Sequence, residues 1–448
     1  MPTKDHQTEY DAIVVGLGRT GLACLRYLHG RGLKVSVVDT RAEPPMMAEA
    51  RREVPDIEIR MGALDPDFLC RARQLVVSPG VPVKAAAIQA AREAGVEVVG
   101  DIELFARSVR APAIAITGSN GKSTVTRLVE YMGRETGIDV VAVGNIGTPA
   151  LDVLSEPEHS WYVMELSSFQ LETTDSLYPA AAVVLNVSLD HMDRYPGFRD
   201  YLDAKQRIYL GANAVVVNRE DPNTMPRRSS AETYTFGLDS PVGARDFGLV
   251  QDNGGQWLAT GTERLLEAGK LKLTGRHNWA NVLAGLALAK AVGWDPKRCA
   301  EAAARFRGLP HRMELVARIN GVRWVNDSKA TNVGATVAAL SGAGTPVVLI
   351  AGGDGKGADF TPLRAAVGQH ARGLVLFGRD APIIDEAIGE GVVAKYRAAS
   401  LEQAVEQAFK LAEPGDTVLL SPACASFDMF SDYEQRGDAF RTAVRGLS

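Results

Sequence analysis

An α/β protein of three domains, built on mainly parallel sheets, is predicted by three observations. Short apolar runs ending in glycine or small polar residues recur along the 448-residue chain and alternate with helical sequence, the pattern of successive βα units. Two of those runs end in glycine-rich turns that open a helix, 16-GLGRTG-21 and 118-GSNGKST-124. The length, with 46% apolar composition, allows several cores and sets a prior of two to four domains, of which three is the working number.

The segment 11-DAIVVGLGRTGLACLRYLHGRGLKVSVVDT-40 reads as strand, tight turn, helix and strand closing on Asp39, a right-handed βαβ opening. Further strands are expected at Leu75–Ser78 and Val96–Val99, so the first domain ends near Gly100 and Asp101–Pro112 is a short connection. Taken alone, the fingerprint with Asp39 suggests NAD; with a second nucleotide turn one domain later it suggests a nucleotide handle on a substrate.

The strand 113-AIAIT-117 leads into the second turn, and 161-WYVMEL-166, 181-AAVVLNV-187 and 214-AVVVN-218 continue a mainly parallel sheet. The stretches 233-TYTFGLDS-240 and 246-DFGLVQDNGGQWLATG-261 carry an Asn-Gly turn between alternating residues, which predicts a hairpin and an antiparallel addition. Alanine-rich helices from Asn278 to Arg307 end at 308-GLPHR-312. Beyond it 322-VRWVND-327, 346-PVVLIAGG-353, 374-LVLFG-378 and 417-TVLLSPA-423 start a new set of βα units. The expected domains are therefore 1–100, 101–308 and 309–448, with chemistry at the carboxyl ends of their strands.

A net charge of −5 provides no basic field for nucleic acid. The N-terminus has no apolar core of a leader, and 282-VLAGLALAKAV-292 is too short and interrupted to span a bilayer, so a soluble, unexported chain is expected. Cys24, Cys70, Cys299 and Cys424 are scattered, which fits a reducing cytosol. The first three read as small buried hydrophobes; Cys424 lies in a polar loop with no base assigned to it.

In the second turn Gly118, Ser119, Asn120 and Gly121 let backbone approach phosphates, Lys122 can reach terminal phosphate oxygens, and Ser123, followed by Thr124, can ligate Mg²⁺. The usual phosphate-loop pattern wants a glycine where Ile116 stands, so a shorter loop is expected; the competing reading is a structural turn with a chance lysine. Glu165, ending an apolar strand, can hold Mg²⁺ on the nucleotide or simply face water. His191, in 190-DHMDRY-195, is either a ligand or a structural histidine. Lys205 reads by itself as a solvated helix lysine. Asn278 and Asn281, three apart in 277-HNWAN-281, can present two carboxamides on one helical face, although capping by Asn278 competes. Arg312 is a candidate oxyanion clamp, and Asp327 a carboxylate of the kind that holds a ribose hydroxyl.

The motifs GSNGKST, MELSSFQLETT, LNVSLDHMDRY, HNWAN, PHR, NDSKATN and SPACASFD, in that order over nearly the whole chain, resemble those of the Mur ligases, nearest their D-glutamate-adding branch. The resemblance implies a Rossmann-like N-terminal domain for the UDP end of a substrate, a central P-loop-type ATPase domain, and a Rossmann-like C-terminal domain for the incoming amino acid. It implies ATP-driven joining of D-glutamate to UDP-N-acetylmuramoyl-L-alanine by a cytoplasmic monomer with ATP and two Mg²⁺ ions. Gly18, Arg19, Thr20, Asp39, Thr40, Arg41, Ser78, Pro79 and Gly80 would line the uridine diphosphate site. Lys122, Ser123, Glu165 and His191 would serve phosphates and metal, and Asn145 and His191 the reacting end of the substrate. Lys205 matches the lysine that the family carbamylates, making it an anionic support for the second metal. Asn278, Asn281, Arg312 and Asp327 would hold ATP, while Thr331, Lys356, Ser426, Phe427 and Tyr433 would surround D-glutamate.

The motif of the diaminopimelate-adding relatives is absent and SPACASFDMF occupies the C-terminal loop, which favours glutamate. Ser119 stands where many relatives have threonine. The rival readings are a nicotinamide-dependent oxidoreductase, a folylpolyglutamate synthase-like ligase and a non-catalytic nucleotide-dependent binding module.

Overall fold

The computed structural model describes residues 8–192, 194–227, 230–252, 254–273 and 275–447. They form two compact units, one of Met1–Val187, Arg194–Phe236 and Ala284–Cys299, the other of Ser188–Asp193, Gly237–Leu283 and Ala300–Ser448. No described helix is long and apolar enough to cross a membrane.

The first unit opens with β1 (Tyr10–Val15), β2 (Val35–Asp39), β3 (Glu58–Met61), β4 (Ala72–Val77) and β5 (Glu97–Val99), all parallel in the order β3-β2-β1-β4-β5. Alternation divides its two faces: Ala12 and Val14 join one core with Val37 and Val76, Ile13 and Val15 another with Leu75 and Val77. The order reverses between β1 and β4, which opens a crevice beyond Val15 and Val77. Gly16 takes φ +97° there, and a Cβ on Gly21 would sit 1.9 Å from the Gly16 carbonyl oxygen, so glycine is required where the helix Arg19–Gly30 leaves the strand.

The same unit carries β6 (Ala113–Thr117), β7 (Val140–Gly144), β8 (Trp161–Glu165), β9 (Ala181–Val184), β10 (Ala214–Asn218) and β11 (Glu232–Phe236). They run parallel in the order β11-β10-β9-β6-β8-β7. Both faces of β6 are covered, which explains its unbroken apolar run. With β8 and β9 on either side of it, a second crevice opens beyond Thr117. Two expectations change. Asp101–Pro112 is more than a connection: it begins with the helix Asp101–Ala106, whose Ile102, Leu104 and Phe105 enter the core that holds Val14 and Met164. The strand at 233–236, expected with the antiparallel addition, pairs parallel to β10, because the roughly dozen residues after Asn218 suffice for a crossover and period-two alternation does not encode direction.

In the second unit β12 (Asp246–Asp252), β13 (Gly255–Thr260) and β14 (Glu263–Glu267) are antiparallel, as the hairpin signal predicts, although Asn253 of that turn lies outside the described residues. The last sheet contains β15 (Glu314–Ile319), β16 (Val322–Asn326), β17 (Val347–Gly352), β18 (Ala371–Phe377), β19 (Ala394–Arg397) and β20 (Thr417–Leu420). Its order is β15-β16-β20-β17-β18-β19, with only β15 antiparallel to its neighbour. Here the last strand inserts between β16 and β17, so this α/β sheet is wired differently from the first. The four strands read from sequence are present. The two edge strands, β15 and β19, escaped notice because they are largely solvated and lack a buried apolar run.

Candidate functional site

The second glycine turn has the form of a phosphate loop. Ile116, which stands at the missing glycine, is a core residue of β6, so the loop starts later, at Gly118 (φ +157°). Gly121 (φ +84°) caps the helix Lys122–Glu135, whose first turn has no acid and no side-chain cap, so its positive dipole end faces the loop. The Lys122 ammonium curls back and donates to the carbonyl oxygens of Gly118 at 2.7 Å and Ser119 at 3.0 Å. Asn186, just beyond β9, pins the loop: its carboxamide accepts from the Asn120 N–H at 2.8 Å and donates to the Asn120 carbonyl at 3.1 Å. Sequence reasoning missed Asn186, although its place past a strand end was a usable signal.

Lys205 corrects the reading of a solvated lysine. It is 1% exposed on the inner side of the helix Phe198–Gln206, donates to the Gly118 carbonyl at 2.9 Å and lies 4.6 Å from the Tyr201 ring centre. A buried ammonium needs such partners, and they belong to a loop that the helix sequence does not reveal.

Glu165, the last residue of β8, pairs in register with Ile116 of β6 and Gly144 of β7. It is 2% exposed, which excludes a carboxylate facing water. One oxygen accepts from the Asn145 carboxamide at 2.9 Å; the other is buried with no hydrogen-bond partner among the described residues. An orphaned carboxylate oxygen is costly, and a cation would satisfy it. No group of three His, Cys, Asp or Glu side chains stands together among the described residues. A site based on Glu165 and the Ser123 hydroxyl would thus be oxygen-rich and completed by phosphate and water, which suits Mg²⁺.

At the first crevice Asp39 acts within the protein. One carboxylate oxygen accepts from the Leu17 N–H at 2.7 Å and from Arg41 Nη2 at 2.6 Å, the other from the Arg41 N–H and Nε at 2.9 Å each. Burial opposes ionisation, but the Arg41 side chain and the Leu17 and Arg41 N–H groups outweigh it and hold the carboxyl down at about 2. Ser78 Oγ donates to the Gly16 carbonyl at 2.8 Å, joining the two loops at the crevice. Around them Arg19, Thr40, Arg41 and Gly80 are exposed, and Gly18, Thr20 and Pro79 half-buried.

The remaining predicted residues belong to the second unit. His191 adopts φ +57°; its N–H donates to Asp190 Oδ1 at 3.0 Å and its Nε2 lies 3.7 Å from Asp190 Oδ2. Asn281 donates to the Asn278 carboxamide oxygen at 3.2 Å, so the two do share a face. The helix starts at Arg276, which rules out capping by Asn278. Asp327, directly after β16, accepts from the Met313 N–H at 3.1 Å and Ser421 Oγ at 3.0 Å. Burial pushes its carboxyl up to about 7, against these bonds and the nearby charge of Arg312.

Around the last sheet Lys356 has φ +53° and its ammonium lies 5.8 Å from the centre of the exposed Phe427 ring. Ser426 is buried, Thr331 half-buried, and Tyr433 opens the last helix with Lys329 over its ring at 3.7 Å. Arg436, which sequence reasoning passed over, is 0% exposed and ties two of these loops together. It donates to the Ser328 hydroxyl and carbonyl and to the carbonyls of Cys424 and Ala425, at 2.7–3.2 Å. Burial raises the Cys424 thiol to about 12, so it is no nucleophile; Cys70 is half-buried where a buried residue was expected.

Comparison with known proteins identifies the family. Residues 10–100 match the model of the Mur ligase MurD-like N-terminal domain, 116–289 the Mur ligase middle domain and 311–424 the Mur ligase glutamate ligase domain. The chain is 51% identical to the UDP-N-acetylmuramoylalanine–D-glutamate ligase of Nitrosococcus oceani, over 98% of both chains. It is 50% identical to the enzyme of that name from Pseudomonas aeruginosa, over 98% of this chain and 99% of that one. Among solved structures, a pseudomurein peptide ligase type C from Methanothermus fervidus (TM-score 0.62, 17% identity) is similar in fold over 98% of this chain and 100% of that one. So is the UDP-N-acetylmuramate-alanine ligase of Thermotoga maritima (TM-score 0.61, 20% identity), with the same coverage. With all three family models matched in order and half of its residues shared with such relatives end to end, the chain belongs to the Mur ligase family.

Proposed function

We propose that this chain is an ATP-dependent, ADP-forming ligase that adds D-glutamate to UDP-N-acetylmuramoyl-L-alanine in cytoplasmic peptidoglycan precursor synthesis. The observation that carries this is the phosphate loop with the buried, half-satisfied Glu165 on the adjoining strand; the near full-length relatives of that name supply the substrates. The family matches at 10–100, 116–289 and 311–424 support a reading in which the domains are 1–100, 101–308 and 309–448.

A carboxylate carbon is a poor electrophile, so joining it to an amine needs activation. The terminal L-alanine carboxylate attacks the γ-phosphorus of ATP, forming an O–P bond as the bond to ADP breaks. The amine of D-glutamate then attacks the acyl carbon, a C–N bond forms as the nitrogen gives up a proton to a base, and the C–O bond breaks so that phosphate leaves with the former carboxylate oxygen. The obstacle is anion meeting anion: two unit charges about 4 Å apart at an effective dielectric near 20 repel by roughly 4 kcal/mol, about three decades in rate. Lys122 opposes this by exchanging the Gly118 and Ser119 carbonyls for phosphate oxygens. Ser123 and Glu165 would hold Mg²⁺, which when bound neutralises charge on the phosphoryl oxygens.

The family resemblance supports further assignments. Asn278, Asn281, Arg312 and Asp327 serve ATP; the residues around Gly18, Asp39 and Ser78 serve the uridine diphosphate, and His191 and Asn145 its reacting end. Thr331, Lys356, Ser426, Phe427 and Tyr433 serve D-glutamate. A second Mg²⁺ and a carbamate on Lys205 belong to the same reading, and the enzyme acts as a monomer. Lys205→Ala rescued by a short carboxylic acid would support the carbamate, and unimpaired activity would count against it.

Phosphate release from ATP, measured with each substrate omitted in turn, tests the whole: release is expected only with both present. Oxygen-18 placed in the acceptor carboxylate is expected in the inorganic phosphate. Label retained wholly in the peptide product would overturn the mechanism.

A further inference from the structure

A continuous chain of contacts joins the two crevices of the first unit. Arg194 donates through Nη1 to the Gly80 carbonyl at 3.3 Å and through Nη2 to the Val81 carbonyl at 2.9 Å, at the loop that follows β4. Its guanidinium lies 4.5 Å from the ring centre of Phe169, four residues past Glu165. Phe169 stacks on Tyr195 with centroids 5.8 Å apart and planes 14° apart, and Tyr195 packs on Tyr201 at 5.4 Å. The Tyr201 hydroxyl is 2.9 Å from Ser119 Oγ, inside the phosphate loop.

Tyr195 and Tyr201 are both buried, so the stack has little room to absorb a displacement at either end. Arginine suits the half-buried end, since its planar fork reaches two successive carbonyls while its face rests on a ring, which a lysine cannot do. The loop after β4 flanks the crevice where the strand order reverses, and the phosphate loop lies at the corresponding place in the next sheet.

We propose that Arg194 is a positioning residue that couples the two nucleotide sites, so that filling the β4 crevice orders the phosphate loop through the Phe169–Tyr195–Tyr201 stack. This rests on the functional reading above, which assigns the UDP end of one substrate to the β4 loop and ATP to the phosphate loop. Arg194 contacts no reacting atom in this scheme; it transmits order.

The test is binding of a non-hydrolysable ATP analogue to the full chain, by calorimetry, with and without saturating UDP-N-acetylmuramoyl-L-alanine. In the wild type the substrate is expected to tighten the analogue about fivefold or more, and by reciprocity the analogue to tighten the substrate by the same factor. Arg194→Ala is expected to bind each ligand alone within about twofold of wild type, with the coupling factor falling to about one. Arg194→Lys and Phe169→Leu, which break the fork and the stack separately, are expected to lose it too. A merely structural role would lower the melting temperature of Arg194→Ala and leave the coupling intact, and that result would overturn the proposal. Wild-type protein that binds both ligands independently would also overturn it, while leaving the functional reading in place. Wild-type protein that binds no UDP substrate would overturn both.

Discussion

The two glycine turns of the first unit look alike in sequence and differ in what they leave unfinished. At the first, the strand-end acid Asp39 spends both oxygens on Leu17 and Arg41. At the second, Glu165 keeps one buried oxygen unpartnered among the described residues, and two lysine ammonium groups rest on the Gly118 carbonyl. A turn whose acid is fully bonded is scaffolding for a handle. A turn whose acid is half satisfied and on whose carbonyl two ammonium groups rest is the one that, under the proposed function, would exchange those bonds for phosphate and cation.

The largest effect expected from this contrast is at Lys122. Under the proposed function Lys122→Ala removes the charge that would leave the loop carbonyls for the transferring phosphoryl group, and kcat is expected to fall by about 10²–10³-fold, the usual cost of a transition-state electrostatic donor. Folding should survive, because the helix Lys122–Glu135 is held by its buried face, with Val125, Leu128, Val129 and Met132 in the core. Phosphate-release kinetics beside a thermal melt separate the two; near wild-type turnover would dissolve the distinction between the turns.

Glu165→Gln comes next. The amide keeps an acceptor for Asn145 but brings no negative charge to a cation. The Mg²⁺ concentration for half-maximal activity is expected to rise at least tenfold, of order 10–100-fold. Without Mg²⁺ the unfolding free energy should stay within about 1 kcal/mol of wild type, since a neutral buried amide, cheaper to desolvate, takes the place of a charged carboxylate. A large loss of stability with unchanged Mg²⁺ dependence would make Glu165 a strut like Asp39.

How far the chain could be read in advance follows the same division between local and distant causes. The glycines at 16, 118 and 121 are legible because positive φ is a demand of a single residue, and β6 and β10 because both their faces are buried. Lys205 was illegible as a buried group: the carbonyl that accepts its proton is 87 positions away in sequence. Arg436 failed for the same reason, reading as one more charge on a helix when its partner Ser328 is 108 positions distant. The family resemblance, and no periodicity, pointed to Lys205. Nothing in the sequence pointed to Arg436, because a guanidinium that organises loops leaves no local pattern.

The smallest effect, and the one that sharpens the comparison most, is at Asp39. Asp39→Asn loses charge-assisted bonds to two N–H groups and to Arg41, and is expected to destabilise the fold by about 1–3 kcal/mol near neutral pH. The exposed Arg41 end of the pair contributes little of that. The sign of its pH dependence follows from the folded carboxyl being held at about 2 against an ordinary 3.8. Between those values the unfolded chain binds more protons, so the wild-type advantage is complete above about pH 4 and disappears as pH falls through about 2. Urea unfolding of both proteins from pH 7 downward measures the gap, and a gap unchanged at the acid end would show that the carboxylate charge is not what braces the turn. The same variant should bind the UDP substrate nearly as well as wild type once folded. A tenfold loss of affinity with unaltered stability would instead make Asp39 a ligand contact, and the two turns would then work alike.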